Sequence, residues 1–558
     1  MGEKLIHPKP YKIDFMLDKS PTRLRDSEFT TSNSIVFVNA PLQTEDEAHG
    51  RFVAGDEFFN YGAMGGLREG LAPVELVSTS YGGLLINAIV MGFASMFFQF
   101  VFKVLLLDDF SAVQFNQSNV ATYLLQWPGA FSVFFGLLSD SFPLFGLRRK
   151  SYIILGWVVA CVMFVVMAIV CHLSNPAETT RGYLLLVFSV VAAFGLQIAY
   201  IAALAMTIEL AQREHLYQRG HLQSLYMVWY HISATLAQVV AALVIERDDL
   251  GITLVSSISL IGAAAILAGI CVVPIPFLLF WLREDYGLYA DGQRVAFRRR
   301  VVELWQLLRW KVVYRVLAFL CVSLFLSAAF DSNVVSALAF WSGITAKKAG
   351  WIKVSEYLAR FLGVLLFKMF FINYNWRRLA IIGLVSNVVA RMILGGPIIF
   401  DAIRNVWYMN IWTLVADIYL GLFDIFALVI PTEIADVGRE GAVIGLVNSF
   451  TVLISIATYT LWASVSDAVG ASVDMIGILV DLDETRHKVL TTGIVYLVIN
   501  LFAVVSVFFV PSQKLDAQQL RAFGGYNNLG RILIVAAFFV LLVYGLVANI
   551  LRVIKKEK

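Results

Sequence analysis

Gly136-Leu137-Leu138-Ser139-Asp140-Ser141-Phe142-Pro143-Leu144-Phe145-Gly146-Leu147-Arg148-Arg149-Lys150-Ser151-Tyr152 is a short polar hinge between two long apolar runs. Asp140 ends the first run, and Arg148, Arg149 and Lys150 open the second. Pro143 and Gly146 force a tight turn between them. An acid and a basic cluster about eight residues apart can close on each other as an ionic latch between two helices. Such a latch holds one conformation shut and has to break in another. The plainer reading makes the three cations topology anchors. Asp140 stands where no anchor is needed, so the latch is the expectation.

The runs on either side of the hinge belong to a wider pattern. The chain has 558 residues, of which 59% are apolar and 15% charged, with a mean hydropathy of +0.76. Soluble domains run nearer ~45–50% apolar and ~25% charged. The excess falls in blocks of about 20 or more nearly uncharged residues, each long enough to cross ~30 Å of hydrocarbon as a helix. Backbone groups in lipid must bond within their own segment, so the blocks must be helices. The alternation of an outer-membrane barrel is absent. A net charge of +3 argues against a nucleic-acid partner. Cys161, Cys171, Cys271 and Cys321 all fall inside apolar blocks, with neither disulfide-framework nor zinc spacing. No phosphate-binding loop, zinc-protease helix or ligand-spaced His or Cys run occurs. The chain is therefore read as a non-enzyme without cofactor or metal.

The blocks run at roughly 81–106, 118–138, 151–172, 182–208, 222–245 and 254–282, and then at 313–341, 349–371, 379–400, 406–430, 442–466, 490–510 and 531–553. The predicted class is an all-α polytopic membrane protein of major facilitator type, a 6+6 helix bundle with an extra C-terminal helix. Its parts are a polar tail at 1–78, a six-helix bundle at 79–282, a basic linker at 283–311, a second six-helix bundle at 312–510, and a connector with the last helix at 511–558. Pro274 and Pro276 in the sixth block, and Gly395-Gly396-Pro397 in the ninth, are expected bends.

Lys and Arg near block ends place the N-terminus inside. The inner loops then hold Arg148, Arg149, Lys150, Arg213, Arg219, Arg377, Arg378 and Arg439, together with the linker arginines. Outer loops carry Asp108-Asp109, Glu246, Asp248-Asp249, Asp481, Asp483 and Glu484, against which Lys347, Lys348 and Lys353 run counter. Asn116-Gln117-Ser118 is a glycosylation sequon close to the membrane. An odd count of crossings puts the end of the chain outside, although it carries Arg552, Lys555, Lys556 and Lys558. The length of the last block favours crossing.

The run from Ser139 through Pro143 and Gly146 to the paired arginines resembles the signature loop of the folate–biopterin transporter family, a branch of the major facilitator superfamily. Two further stretches are similar to that family: Glu209-Leu210-Ala211-Gln212-Arg213-Glu214 with Arg219-Gly220, and Pro431-Thr432-Glu433-Ile434-Ala435 with Gly438-Arg439-Glu440-Gly441 and Asn448. The resemblance covers roughly residues 75–525 and implies a secondary transporter of a folate- or pterin-like solute. The fourth span departs from the family pattern. Tyr200-Ile201-Ala202-Ala203-Leu204-Ala205-Met206-Thr207-Ile208 carries no carboxylate before Glu209, where family members usually have aspartates.

An ionisable group deep in a span is costly and marks a functional candidate. Arg360, Arg391 and Asp417 lie centrally in their spans, Asp424 lies seven residues beyond Asp417, and Asp331 lies in the outer half of the seventh. Spacing of seven sets Asp417 and Asp424 on one helix face, with Gly421 between them leaving room beside the backbone. The first half offers mainly His231, with Lys103 near an outer end and Glu209 near an inner one, and Lys103 and, in the second half, Lys368 lie near enough to span ends to snorkel. Substrate-binding or coupling roles are therefore expected for Arg360, Arg391, Asp417, Asp424, Asp331 and His231. Trp229, Tyr230, Tyr200, Trp412 and Tyr419 could stack on a planar ring or simply pack. The expected partners are a small-molecule substrate and the lipid bilayer, and the chain is expected to act as a monomer, with or without proton coupling. The alternative is a pseudo-transporter serving as a receptor or scaffold. Charges retained at mid-membrane depth count against it.

Overall fold

The computed structural model describes residues 65–68, 71–111, 124–173, 179–247, 254–284, 297–345, 348–468 and 475–554. Most of the polar tail, the Asn116 sequon, Asp248-Asp249, Lys347, linker residues 285–296 and the basic end at 555–558 lie outside them.

The elements before the linker are α1 (Gly82–Asp109), α2 (Ser132–Ser141), α3 (Lys150–Leu173), α4 (Thr180–Ala211), α5 (His221–Val244) and α6 (Leu260–Phe280). An antiparallel hairpin of β1 (Ile245–Arg247) and β2 (Leu254–Ser256) joins the last two. The linker contributes α7 (Phe297–Leu307). Then come α8 (Lys311–Ser327), α9 (Ser332–Trp341), α10 (Gly350–Leu366), α11 (Trp376–Ile399), α12 (Val406–Ile434), α13 (Glu440–Thr458), α14 (Asp483–Phe508), α15 (Lys514–Phe523) and α16 (Asn528–Val547). Ten helices among the described residues are long and apolar enough to cross a membrane.

The other three expected blocks are also helical but interrupted. The second is described only from residue 124 and breaks at Phe131 before α2. The seventh splits into α8 and α9, because Asp331 leaves the helix to cap α9, its Oδ1 accepting from the backbone N–H groups of Asn333 and Val334 at 2.6 and 3.0 Å. The eighth, α10, carries Lys353, Glu356 and Arg360 and ends in a π-turn at Phe367–Phe371. In the sixth block the helix breaks before Pro274, where proline's missing N–H interrupts the ladder. Helix α11 runs on through Gly395 and Gly396, and Pro397 sits in its last turn.

Helices before the linker pack chiefly on one another, as do those after it, and two seams join the groups: α2 against α13 and α5 against α10. Both the α2–α13 seam and the crossing of α10 with α12 rely on glycine at the closest point. A Cβ on Gly136 would overlap the Gly441 carbonyl, and one on Gly441 would lie 2.6 Å from the Gly136 oxygen. A Cβ on Gly421 would overlap the Arg360 carbonyl, and one on Gly363 the Ile418 carbonyl. Without side chains there, the backbones approach closely enough to place Arg360 opposite α12.

The loop at 142–149, the loop at 212–220 and the loop at 372–375 share one end of the bundle, called the inner end by the charge distribution. Lys514 Nζ ties two of them together, donating to the Leu216 carbonyl at 3.1 Å and to Asn373 Oδ1 at 2.9 Å. Helix α16 begins at this end, where Asn527 N donates to the Arg309 carbonyl at 2.8 Å. It passes Tyr314, sets Phe538 edge-on to Phe450 at 5.9 Å, and places Gly545 against Ile456. Ile456 lies 16 residues into α13, roughly 24 Å along its axis at ~1.5 Å per residue. The last helix therefore runs alongside α13 for most of that length. At the opposite end Asp481 accepts from Arg404 at 2.7 Å and Arg486 at 2.6 Å, and these arginines hold its carboxyl well below the usual range.

The α10–α12 crossing gives a direct test. Gly421→Ala should destabilise the protein by about 1–3 kcal/mol through forced separation of the helices. Gly396→Ala, with open space around it, should be neutral or gain up to ~1 kcal/mol. Thermal unfolding in detergent reads both, and equal melting temperatures would refute the close-packing account.

Candidate functional site

Two polar centres lie on the seam between the groups of helices. The inner one begins with the hinge that opened the sequence. Phe145 and Gly146 take positive φ values of 54° and 79°, which turn the chain back so that Arg148 and Arg149 return to Asp140. Arg149 Nη2 donates to Asp140 Oδ1 at 2.5 Å and to Glu440 Oε2 at 3.0 Å. Arg148 Nη2 reaches the same two carboxylates at 3.5 and 3.3 Å. Asp140 also accepts from the backbone N–H groups of Gly441 at 3.3 Å and Ala442 at 2.7 Å, the open first turn of α13. Arg149 and Glu440 are completely buried. The latch therefore joins α2 and α3 to α13 across the seam. The sequence paired Asp140 with the cations but did not supply Glu440 as their second acceptor.

Lys150, grouped with the latch by sequence, stands apart from the ion pairs. Its Nζ donates to the carbonyls of Leu279 and Leu282, each at 2.9 Å. Glu284 occupies the start of α3 instead, its carboxylate accepting from the backbone N–H groups of Arg148, Arg149 and Lys150 at 2.8–3.2 Å. Further inner ties cross the seam: Arg219 pairs with Glu433 at 2.9 Å, and Gln212 Nε2 donates to the Ala435 carbonyl at 3.0 Å.

The second centre is a cavity of ≈ 150 Å³ between α1, α4 and α5 on one side and α10, α12 and α13 on the other. Arg360 Nη1 donates to Asp424 Oδ2 at 3.0 Å, and His231 Nε2 lies 3.5 Å from the same oxygen. The Arg360 guanidinium also lies over the Tyr357 ring at 5.5 Å. Tyr200 and Tyr230 flank the cavity with ring centroids 5.8 Å apart, and Tyr230 meets His231 edge-on at 5.2 Å. Asn448 and Thr451 add neutral polar groups from α13. Three of the expected residues, Arg360, Asp424 and His231, thus converge.

The other three do not line this cavity. Arg391 pairs with Asp417 at 3.3 Å and with Asn387 Oδ1 at 2.9 Å, between α11 and α12. Asp417 and Asp424 share a helix face by spacing but serve different arginines. Asp331 is a helix cap. Of the aromatic candidates, Tyr200 and Tyr230 reach the cavity. Trp229 is partly exposed outside this lining, Trp412 packs near Tyr408, and Tyr419 is buried with its hydroxyl on Ser323.

A twelve-helix pair of bundles meeting at a central polar cavity is the architecture of major facilitator transporters. Among solved structures, 243 chains match. A major facilitator proton:xylose symporter bound to 6-bromo-6-deoxy-D-glucose matches with a TM-score of 0.52 and 12% identity, over 77% of this chain and 94% of that one. The E. coli fucose:proton symporter matches at 0.49 and 15%, over 76% and 98%. No curated protein matches the chain. The BT1 family profile, that of folate–biopterin transporters, matches residues 91–557. The chain belongs to that family, as a multi-pass membrane transporter of major facilitator fold.

Two predictions follow from the inner end. If the latch sets the balance of end states, Asp140→Asn should lower the maximal transport rate while leaving half-saturation within a few-fold, since Asp140 does not line the cavity. Initial rates across substrate concentration test this, and lost affinity at normal turnover would move Asp140 into the substrate site. The second concerns Glu214, in the loop after α4. Burial raises its carboxyl to about 7, against hydrogen bonds from Gly220 and Leu222 N–H and the nearby Arg219 and Lys514. A raised acid stabilises the fold fully below its ordinary 4.5 and loses that contribution as pH climbs through about 7. Wild type should lose stability relative to Glu214→Gln between those values, by up to about 3 kcal/mol at ~1.4 kcal/mol per pH unit. Parallel melting curves across that window would refute it.

Proposed function

We propose that the chain is a secondary carrier of a folate- or pterin-like solute and that the Arg360–Asp424–His231 cavity binds it. The observation that carries the reading is the placement of one ion pair and three tyrosines on the seam between the two bundles. In an alternating carrier, substrate sits near the midplane between halves. Asp424 suits the N–H edge of an amino-pyrimidine ring, which donates two parallel hydrogen bonds to a carboxylate. Arg360 suits a substrate carboxylate, and the Tyr200, Tyr230 and Tyr357 rings suit a planar bicycle. A substrate bearing both groups would exchange the internal pair for two external ones, so neither charge is left bare in a dry site.

The cavity of ≈ 150 Å³ is small against the ~300–1,000 Å³ of ordinary ligand pockets. With the inner latch closed as well, this fits a contracted state of the site. A proton on Asp424 would release Arg360 in the same way as a substrate N–H edge does, which gives coupling a defined atom. The family's usual acids on the fourth span are missing here. Asp424 enters the cavity beside Tyr200 of α4 and supplies a carboxylate from the opposite bundle.

A thermal-shift screen of the purified protein against pterins, folates, nucleosides, amino acids and adenosyl cofactors tests the substrate class. Pterins or folates should raise the melting temperature, and Asp424→Asn should abolish that shift while the unliganded protein still folds. A shift given by adenosyl cofactors alone, or one untouched by Asp424→Asn, would reject the assignment. Arg391→Ala separates the two arginines: the shift should persist in whatever fraction folds, because Arg391 serves Asp417 outside the cavity.

A further inference from the structure

The inner latch contains a third arginine that lies in neither bundle. Arg68 belongs to the polar segment before α1, yet its side chain is only 3% exposed. Its Nη1 donates to Glu209 Oε1 at 3.1 Å, its Nε to Gln212 Oε1 at 3.1 Å, and its Nη2 to Glu440 Oε1. Glu209 lies in the last turn of α4 and Gln212 directly follows it in the first bundle, whereas Glu440 opens α13 in the second. One guanidinium thus spans the seam at the same carboxylate that Arg148 and Arg149 hold.

The described backbone hydrogen bonds of this segment go to the first bundle. Arg68 N donates to the Gln212 carbonyl at 3.3 Å, and Arg219 Nη2 donates to the Gly65 carbonyl at 3.4 Å. Gly66 lies so close to the 212–213 backbone that a Cβ would stand 2.7 Å from the Arg213 carbonyl oxygen. The segment therefore rests on its own bundle, and its Arg68 side chain reaches across. In the ion pairs described, three carboxylates, Asp140, Glu209 and Glu440, face three guanidiniums, Arg68, Arg148 and Arg149. Withdrawing Arg68 leaves that buried set one positive charge short, a costly arrangement in low dielectric. Opening the inner end to solvent relieves the shortage.

We propose that the inner gate carries a guanidinium-binding cleft, formed by Glu209, Gln212 and Glu440, whose occupant is the releasable pre-span segment 65–68. Seated, the segment staples the inner end shut. Withdrawn, it lets α13 part from α2 and α4. The cleft is a control point for the carrier, separate from the substrate cavity, and the proposal rests on the carrier reading above.

The test reads gate opening without any substrate. Ala435, buried at the inner end of α12, is replaced by Cys, and maleimide labelling is timed in the full chain, with the parent carrying only its native cysteines as blank. Arg68→Ala should speed labelling at least about tenfold, the change that ~1.4 kcal/mol of lost closed-state stability produces. Arg68→Lys should fall between. Gly66→Leu ejects the segment without altering a charge, so it should match Arg68→Ala and covers the case in which that variant fails to fold. A synthetic peptide of residues 60–72, added to the Gly66→Leu chain, should slow labelling again, whereas a peptide with Ala at position 68 should not. Unchanged labelling in both Arg68→Ala and Gly66→Leu overturns the staple. If Asp140→Asn still speeds labelling in that case, the carrier reading stands without it. If no variant exposes position 435, the staple and the alternating gate fall together.

Discussion

The first turn of α13 is the constraint on which the inner end depends. Its free backbone N–H groups meet the Asp140 carboxylate, and Glu440 within the same turn meets the arginines that follow Asp140. The first bundle supplies Asp140 and both arginines, and the second supplies the Glu440 carboxylate and the backbone N–H groups of its own first turn, so the full set of partners is met only when the two bundles touch. A buried acid or guanidinium without its partner costs several kcal/mol, ~3–5 by the removal of one member. That cost couples the position of α13 to the hinge at 142–149. It also explains the glycines at 136 and 441: only bare backbones let the helices come near enough for the carboxylate to reach the helix start.

The central cavity uses the same device more sparingly. Arg360 and Asp424 both come from the second bundle, and the first contributes His231 and two tyrosines. The charged pair can therefore move as one body with α10 and α12, while the aromatic wall moves with α4 and α5. A ligand engaging both walls feels any relative displacement of the bundles. Arg391 and Asp417 are confined to the second bundle and have no such lever, which gives them the character of an internal brace.

The connector after α14 extends the inner closure. Gln518 of α15 donates to Glu433 at 2.7 Å, and Arg521 pairs with Asp436, while Lys514 reaches loops of both bundles. A short amphipathic helix thus lies across the inner mouth. Helix α16 then departs along α8 and α13, buttressing from the lipid side the helix whose first turn forms the latch.

Apolar block length by itself determined the helical class, because a membrane admits few solutions for an uncharged run of that size. The hinge likewise announced the pairing of Asp140 with Arg148 and Arg149, since an acid, a turn and paired arginines are neighbours in sequence. The pairing of Arg360 with Asp424 rather than with a substrate alone, and the confinement of Arg391 to Asp417, were decided by tertiary structure. Spacing puts two aspartates on one face of a helix, but which cation meets each depends on how α10 and α11 cross α12. Glu440 and Arg68 show the same limit more sharply. They lie 372 residues apart, one in a stretch noted only by resemblance and one in a segment read as a polar tail. Nothing local marks Arg68 as buried. Its partners exist only after two bundles have closed and brought three separate helix ends to one point.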